Sequence, residues 1–203
     1  MSTRSNPKAI IITIVVISII AFIVFGVVTS QNASIESQNK KAAILAEKES
    51  KISDLIGKVD EYAAIKGEST ERKSPVKPCK VFIVQNKYTP GVAQTPDEGY
   101  IYSPIYYALP EELQAKSAAE LNTLVQLNIY EVATGKYTSG ESAYTLHVEM
   151  TVIDMTKSEV ILHTSSILEP ITNPTNKDQL HRQIPEYEII ATIEDLAGYV
   201  EEQ

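Results

Sequence analysis

The sequence has few of the groups that cross-link a chain or bind phosphate. It has one cysteine, Cys79, so no disulfide can form within a single chain. The net charge is −8, and its Lys and Arg residues form no dense basic patch. Nucleic-acid binding needs clustered cations to neutralise phosphates, so we predict no nucleic-acid partner. We expect Cys79 to be a small apolar side chain at a strand entrance, with a reactive thiol as the alternative.

Sequence motifs of common enzymes are also missing. The chain contains no glycine-rich phosphate loop, no H-E-x-x-H and no G-x-S-x-G. It has three histidines, at positions 147, 163 and 181, without the matched further ligands that a metal site needs. If Glu149 lies opposite His163, a cross-strand charge pair explains both residues. We therefore predict no catalytic, metal-binding or cofactor-binding residues, although an enzyme site assembled from distant residues remains an alternative.

One segment near the N-terminus is apolar enough to cross a membrane. Between Ala9 and Val28, fifteen of twenty residues are Ile, Val or Phe, and none is charged. Twenty helical residues rise about 30 Å, the thickness of a bilayer core. The fifteen side chains favour insertion by roughly 5 to 9 kcal/mol. We predict a transmembrane helix over residues 9–29 that binds the lipid bilayer, preceded by a short tail over 1–8. A cleaved signal peptide is the alternative.

The charges that flank this segment predict its orientation. Arg4 and Lys8 lie on its N-terminal side, whereas the first cations beyond it are Lys40 and Lys41. Positive charge close to the membrane favours the cytoplasmic side. We expect a single-pass protein of the cell membrane, with a cytoplasmic N-terminus and an extracytoplasmic C-terminal domain.

Residues 31–66 favour a helical stalk. They contain no Pro and one Gly, and are rich in Ala, Glu, Lys, Ile and Leu. Leu45, Ile52 and Val59 are seven residues apart, as in a coiled coil, but Glu49 and other polar residues interrupt the seam. This interrupted pattern therefore predicts weak homodimerisation through the stalk at most. The alternatives are a lone spacer or an amphipathic helix that packs on its own domain.

A linker over 67–78, which contains Gly and two Pro, predicts a boundary before a soluble domain over 79–203. The signals within that domain favour the α+β class. An antiparallel meander is expected from three runs with strand periodicity, joined by turns at 133–136 and 155–158. A first strand at 80–85, a helix that starts at Pro110 and a C-terminal amphipathic helix complete the prediction. The predicted strands of the meander are Thr123–Val132, Ser142–Asp154 and Glu159–Leu168.

The positions of two further groups of side chains, tyrosines and carboxylates, suggest their roles. Five tyrosines between Tyr88 and Tyr107 indicate either a binding surface or a loop held by its own rings. Carboxylates such as Asp154 lie at turns and strand ends, where we expect them to be solvated.

A chain of short motifs resembles a family of uncharacterised, mostly bacterial domains that often follow a single membrane span. The motifs are Leu109 to Ser117, Leu124-Val125, Glu131 to Tyr137, Gly140, Ala143-Tyr144, Val152 to Thr156, Glu159-Val160 and, on the last helix, Ile190. In the second turn, where the family has Thr-Gly, this chain has Lys157-Ser158. The resemblance implies a domain over about 80–200, and no catalytic residues.

These features predict a membrane-tethered interaction or sensing module with an unknown protein partner. One alternative is a structural subunit of a membrane assembly, similar to the inner-membrane alignment proteins of type IV pilus systems. The other is an enzyme with an unrecognised site.

Overall fold

The computed structural model describes residues 38–69, 75, 77–91, 99–172, 174 and 180–198. The predicted tail over 1–8 and transmembrane helix over 9–29 lie outside these residues. Among the described residues, no helix has both the length and the apolar character needed to cross a bilayer. The chain divides into two compact units, residues 1–50 and residues 51–203.

The described part of the first unit is helical from residue 38 to residue 50. Its side chains are almost all exposed, including Ile44 and Leu45, at 48% and 43%. A helix of this length rises about 20 Å.

The described residues of the second unit are α+β and form a mixed sheet of six strands in the order β1-β6-β5-β4-β2-β3. Pairs β1–β6 and β2–β4 are parallel, and the other three pairs are antiparallel. The strands are β1 (Glu68–Ser69), β2 (Val81–Asn86), β3 (Tyr100–Tyr102), β4 (Thr123–Lys136), β5 (Ser142–Asp154) and β6 (Glu159–Leu168). The helices of this unit are α1 (Ser53–Ile56), α2 (Val59–Ala63), the 3-10 helix η1 (Pro104–Ala108) and α3 (Glu186–Ala197).

The predicted meander is confirmed as β4, β5 and β6, but its first turn lies later than we expected. Residues 133–136 belong to β4, where the register shifts between Ala133 and Gly135. The chain reverses instead after Tyr137, whose amide donates to the Glu141 carbonyl at 2.8 Å. Gly140, at a φ of 90°, allows this reversal because glycine tolerates positive φ.

The second predicted turn is confirmed, but its carboxylate is not solvated. Asp154 is only 2% exposed. Its Oδ1 accepts hydrogen bonds from the amide and the hydroxyl of Thr156, at 2.8 and 2.6 Å. The prediction was wrong because these donors replace water around the acid.

The sheet is not a pure meander, because β2 lies parallel to β4, between β4 and the edge strand β3. The first five residues of β2 are all buried, which fits a strand covered on both faces. The predicted helix start at Pro110 is wrong. The segment there forms a turn, and the Val81 amide donates to the Leu113 carbonyl while the Ala115 amide donates to the Val81 carbonyl. This pairing with β2 outweighs the local helix signals.

The second unit begins earlier than the predicted boundary at residue 79, because residues 51–66 belong to it. Within that range Ile52, Leu55, Val59 and Tyr62 are at most 7% exposed. The Gln126 side chain of β4 donates to the backbone carbonyls of Tyr62 and Ile65, at 2.7 and 3.0 Å. Part of the predicted stalk therefore packs on its own domain, as in one of our alternatives. Ile52 and Val59, two positions of the heptad seam, are not free to contact another helix.

The C-terminal helix is confirmed as α3. Its apolar side chains Ile189, Ile193 and Leu196 are buried, as their spacing predicted. Val200, the fourth predicted position, lies outside the described residues. Gly198 ends the helix at a φ of 66°, the left-handed conformation typical of a helix C-terminus.

Candidate functional site

A polar cluster of the second unit surrounds the Glu131 carboxylate on β4. This side chain is only 4% exposed. Its oxygens accept hydrogen bonds from the Tyr88 hydroxyl at 3.0 Å and from the Gly91 amide at 2.8 Å. The third partner is Nδ1 of His181, 2.9 Å from both oxygens. The carboxylate thus joins β4 to two distant parts of the chain, residues 88–91 and His181. Burial, together with the nearby Glu131 charge, raises the pKa of Tyr88.

The His181 ring is held in one orientation by its neighbours. It stacks on Tyr144, with ring centroids 5.1 Å apart and an angle of 28°. Since a carboxylate only accepts hydrogen bonds, the Nδ1 atom facing Glu131 carries a proton. Gly91 approaches the ring closely: its φ is +73°, and a Cβ there would lie 3.0 Å from the imidazole Cε1 and 3.1 Å from Nε2. Nε2 is therefore the ring nitrogen that does not bond to Glu131.

A cleft of about 900 Å³ opens beside this cluster. It is lined by Tyr88, Pro90, His181, Arg182, Gln183, Ile184 and Glu186. A carboxylate–imidazole pair beside a cleft is an arrangement that positions a general base. Among the described residues, however, no Ser, Thr or Cys side chain bonds to His181. The described part of the chain also holds no group of three or more His, Cys, Asp or Glu side chains arranged to hold a metal ion.

The other two histidines lie on the opposite face of the sheet. The condition for a charge pair between Glu149 and His163 is not met, because the register places Ser165 opposite Glu149 and Thr151 opposite His163. His163 instead shares a 2.9 Å hydrogen bond with the Thr151 hydroxyl. The sequence could not show this, since it depends on a register that is offset by a bulge at the start of β6.

His147 belongs to a second polar group on that face. Its ring stacks on Tyr130 at 4.8 Å and 10°. The Glu149 carboxylate accepts hydrogen bonds from the Tyr130 hydroxyl at 3.1 Å and from the Asn128 amide at 2.9 Å. We call this surface the open face, defined by residues 128, 130, 147 and 149 with residues 163, 165 and 167 of β6.

Cys79 is a buried side chain, as predicted. It is 6% exposed, and its thiol donates to the Thr123 hydroxyl at 3.3 Å. Burial raises the pKa of this thiol, against the lowering effects of the Thr123 hydrogen bond and of two lysines. The native protein therefore holds little nucleophilic thiolate.

The tyrosines after β2 pack on one another and on the core. Tyr106 is 1% exposed, contacts Phe82 and Tyr107 edge-on, and donates its hydroxyl to the Ala115 carbonyl at 2.7 Å. Tyr107 in turn contacts Tyr102. These rings hold the loop on its own domain, which was one of our two interpretations.

No protein-family model matches the chain, and no curated protein is similar to it.

Proposed function

We propose that this protein is a single-pass, membrane-anchored interaction module whose second unit binds a protein partner. Residues 9–29 anchor it in the cell membrane, with the N-terminus in the cytoplasm and the domain outside. The uncharged run of fifteen Ile, Val and Phe residues supports the anchor, and Arg4 and Lys8 support the orientation. The helical residues 38–50 connect the anchor to the second unit along the chain.

The observation that carries the interaction role is a part of the sheet that no described helix covers. In β6, three consecutive residues, 163–165, are exposed. Because successive side chains of a strand point to opposite faces, this part of β6 is exposed on both faces. Ile167 on the same strand is 57% exposed, and Val132 on β4 is 42% exposed. The register places both side chains on the same face of the sheet, on either side of β5. Apolar groups left in water on one face support a protein interaction surface there.

The anchor is tested by alkaline carbonate extraction of membranes that contain the full chain. We expect the protein to stay with the membrane, because roughly 5 to 9 kcal/mol of insertion energy exceeds that of peripheral binding. Complete release into the supernatant would contradict the anchor.

The orientation is tested with a membrane-impermeant maleimide on intact cells. Cys79 is too buried to report, so we place a thiol in the exposed first turn with Ser139→Cys. Labelling before lysis is expected, with the unsubstituted chain as the unlabelled control. Labelling of Ser139→Cys only after lysis would reverse the orientation.

The interaction surface is tested by purification from mild detergent. Ile167→Asp places a charge on the open face, whereas Thr138→Asp places one in the exposed first turn. We expect a protein that co-purifies with the unsubstituted chain to be lost with Ile167→Asp and kept with Thr138→Asp. Equal recovery with both variants would exclude the open face as the binding surface.

A further inference from the structure

The outer edge of β6 is largely unpaired among the described residues. Its only strand neighbour on that side is β1, which pairs with Glu159 and Val160. From Leu162 to Leu168, the outer side has no partner strand in the described sheet. The exposure of residues 163–165 agrees with an edge that faces solvent. A row of free backbone N–H and C=O groups is a template for another strand.

This edge lacks the features that usually prevent strand addition. Natural edge strands are blocked by charged side chains, by Pro or by bulges. Residues 162–168 (LHTSSIL) include no Pro, Lys, Arg, Asp or Glu. The bulge of β6 precedes this segment. It is at Ile161, which lies between the pairs Val152–Leu162 and Ile153–Val160. Beyond the bulge, β6 pairs with β5 in unbroken register from Leu162 to Leu168.

The order of side chains in this segment is complementary to itself. If two copies of β6 pair antiparallel about Ser165, each Ser165 faces its counterpart. The small hydroxyl residues 164 and 166 then face each other, and Leu162 faces Leu168 of the second copy. His163 faces Ile167, so no two carboxylates or two cations meet. Such cross-strand pairs stabilise antiparallel sheets.

We propose that β6 pairs with β6 of a second copy of this chain, which joins two sheets into one through an isologous contact centred on Ser165. This proposal rests on the proposed function, since a membrane anchor confines copies to one surface and raises their effective concentration. The axis of such a pair is perpendicular to the sheet, so α3 lies on the same face in both copies. Leu168 of the second copy then lies beside the cleft that residues 162 and 164 form with α3.

Cysteine cross-linking of the full chain in lipid vesicles tests the contact and its register. In Ser165→Cys the two thiols are directly opposed, and mild oxidation is expected to give a covalent dimer. His163→Cys is the matched control, because it is also exposed and on the same face. Its two copies would be offset by four residues, about 13 Å along the strand. A disulfide needs Cα atoms within about 7 Å, so this variant should stay monomeric.

Mixed variants give a second, independent readout. His163→Cys mixed with Ile167→Cys should cross-link, although each variant alone should not. Ser165→Lys opposes two cations and should abolish the dimer in sedimentation, while a mixture of Ser165→Lys and Ser165→Glu should restore it. Ser139→Lys, in the exposed first turn, should leave the dimer unchanged.

Several results would overturn the proposal. One is equal cross-linking of Ser165→Cys and His163→Cys, which indicates random collision. Another is no cross-linking of Ser165→Cys although a maleimide labels it. When the same oxidation is done in cell membranes, a cross-linked product of Ser165→Cys with the mass of a different protein would assign the edge to another partner. Carbonate extraction of the same membranes tests the anchor separately from the strand contact. A protein that is released from the membrane can still form the Ser165→Cys cross-link in solution.

Discussion

Leu55 tests whether the residues after position 50 belong to a stalk or to the domain. The structure buries Leu55 completely, at 0% exposure, beside the other core side chains of the second unit. Leu55→Ala therefore leaves a cavity, and such changes cost about 2–5 kcal/mol. Leu45→Ala is the matched control, because Leu45 is also helical but 43% exposed. Exposed substitutions change stability by about 0.5 kcal/mol or less.

The assay is a urea titration of the full chain in mild detergent. The protein has eleven Tyr and no Trp, so tyrosine fluorescence reports unfolding. With a loss of about 3 kcal/mol and an m-value of about 2 kcal/mol/M, the midpoint of Leu55→Ala should fall by roughly 1.5 M. The midpoint of Leu45→Ala should stay within about 0.3 M of the parent, from the same values. Equal midpoints for the two variants would refute the packing of α1 on the domain.

The same reasoning applies to truncation. A fragment that starts at the predicted boundary, residue 79, lacks the buried side chains Ile52, Leu55, Val59 and Tyr62. Burial of each such side chain contributes about 1.5–3 kcal/mol, against a total stability of about 5–15 kcal/mol. We expect this fragment to aggregate, and one that starts at residue 51 to melt cooperatively. Cooperative melting of the shorter fragment near the longer one would show that residues 51–66 are peripheral.

Three further predictions concern single side chains. Glu131→Ala removes the acceptor of the part-buried Tyr88 and His181 side chains and should cost about 1–3 kcal/mol in a urea titration, whereas removing the exposed Glu111 carboxylate should leave the midpoint unchanged. Burial raises the pKa of Tyr106 from 10.0 to about 12, so its neutral form favours the folded state. That contribution is complete below pH 10 and is lost as the pH rises toward 12, and Tyr106→Phe should show a smaller alkaline loss of stability. Ile193→Ala, at a position 2% exposed, should cost about 2–5 kcal/mol, whereas Tyr187→Ala, at 83% exposure, should cost about 0.5 kcal/mol or less.

The side-chain pattern alone located the regular elements that bury one face. The period of two along β5 and the helical spacing of Ile189, Ile193 and Leu196 each predicted an element that the structure contains. Local signals also found the turn after Asp154. These features are local because a strand or a helix must bury its apolar face whatever it packs against.

Local signals failed where two partners compete for the same groups. The sequence at Pro110 has the residues of a helix start, but the backbone of Leu113 and Ala115 pairs with Val81 instead. The spacing of Ile52 and Val59 suits a partner helix as well as the domain's own core. Only the tertiary structure decides between such alternatives, because hydrophobic burial has no direction and accepts either surface.

The polar cluster was beyond sequence reasoning for a different reason. Glu131 and His181 are fifty residues apart, and neither belongs to a spacing motif. Their contact depends on where β4 ends and on how the chain returns toward α3. Gly91 was one signal, since a glycine after Pro90 marks a turn, but it does not identify what the turn approaches. The sequence by itself therefore determined the class of the domain, its regular strands and the apolar segment at 9–29. The packing of residues 51–66, the parallel position of β2 and the Glu131 cluster were decided by tertiary contacts, because each joins groups that no local period relates.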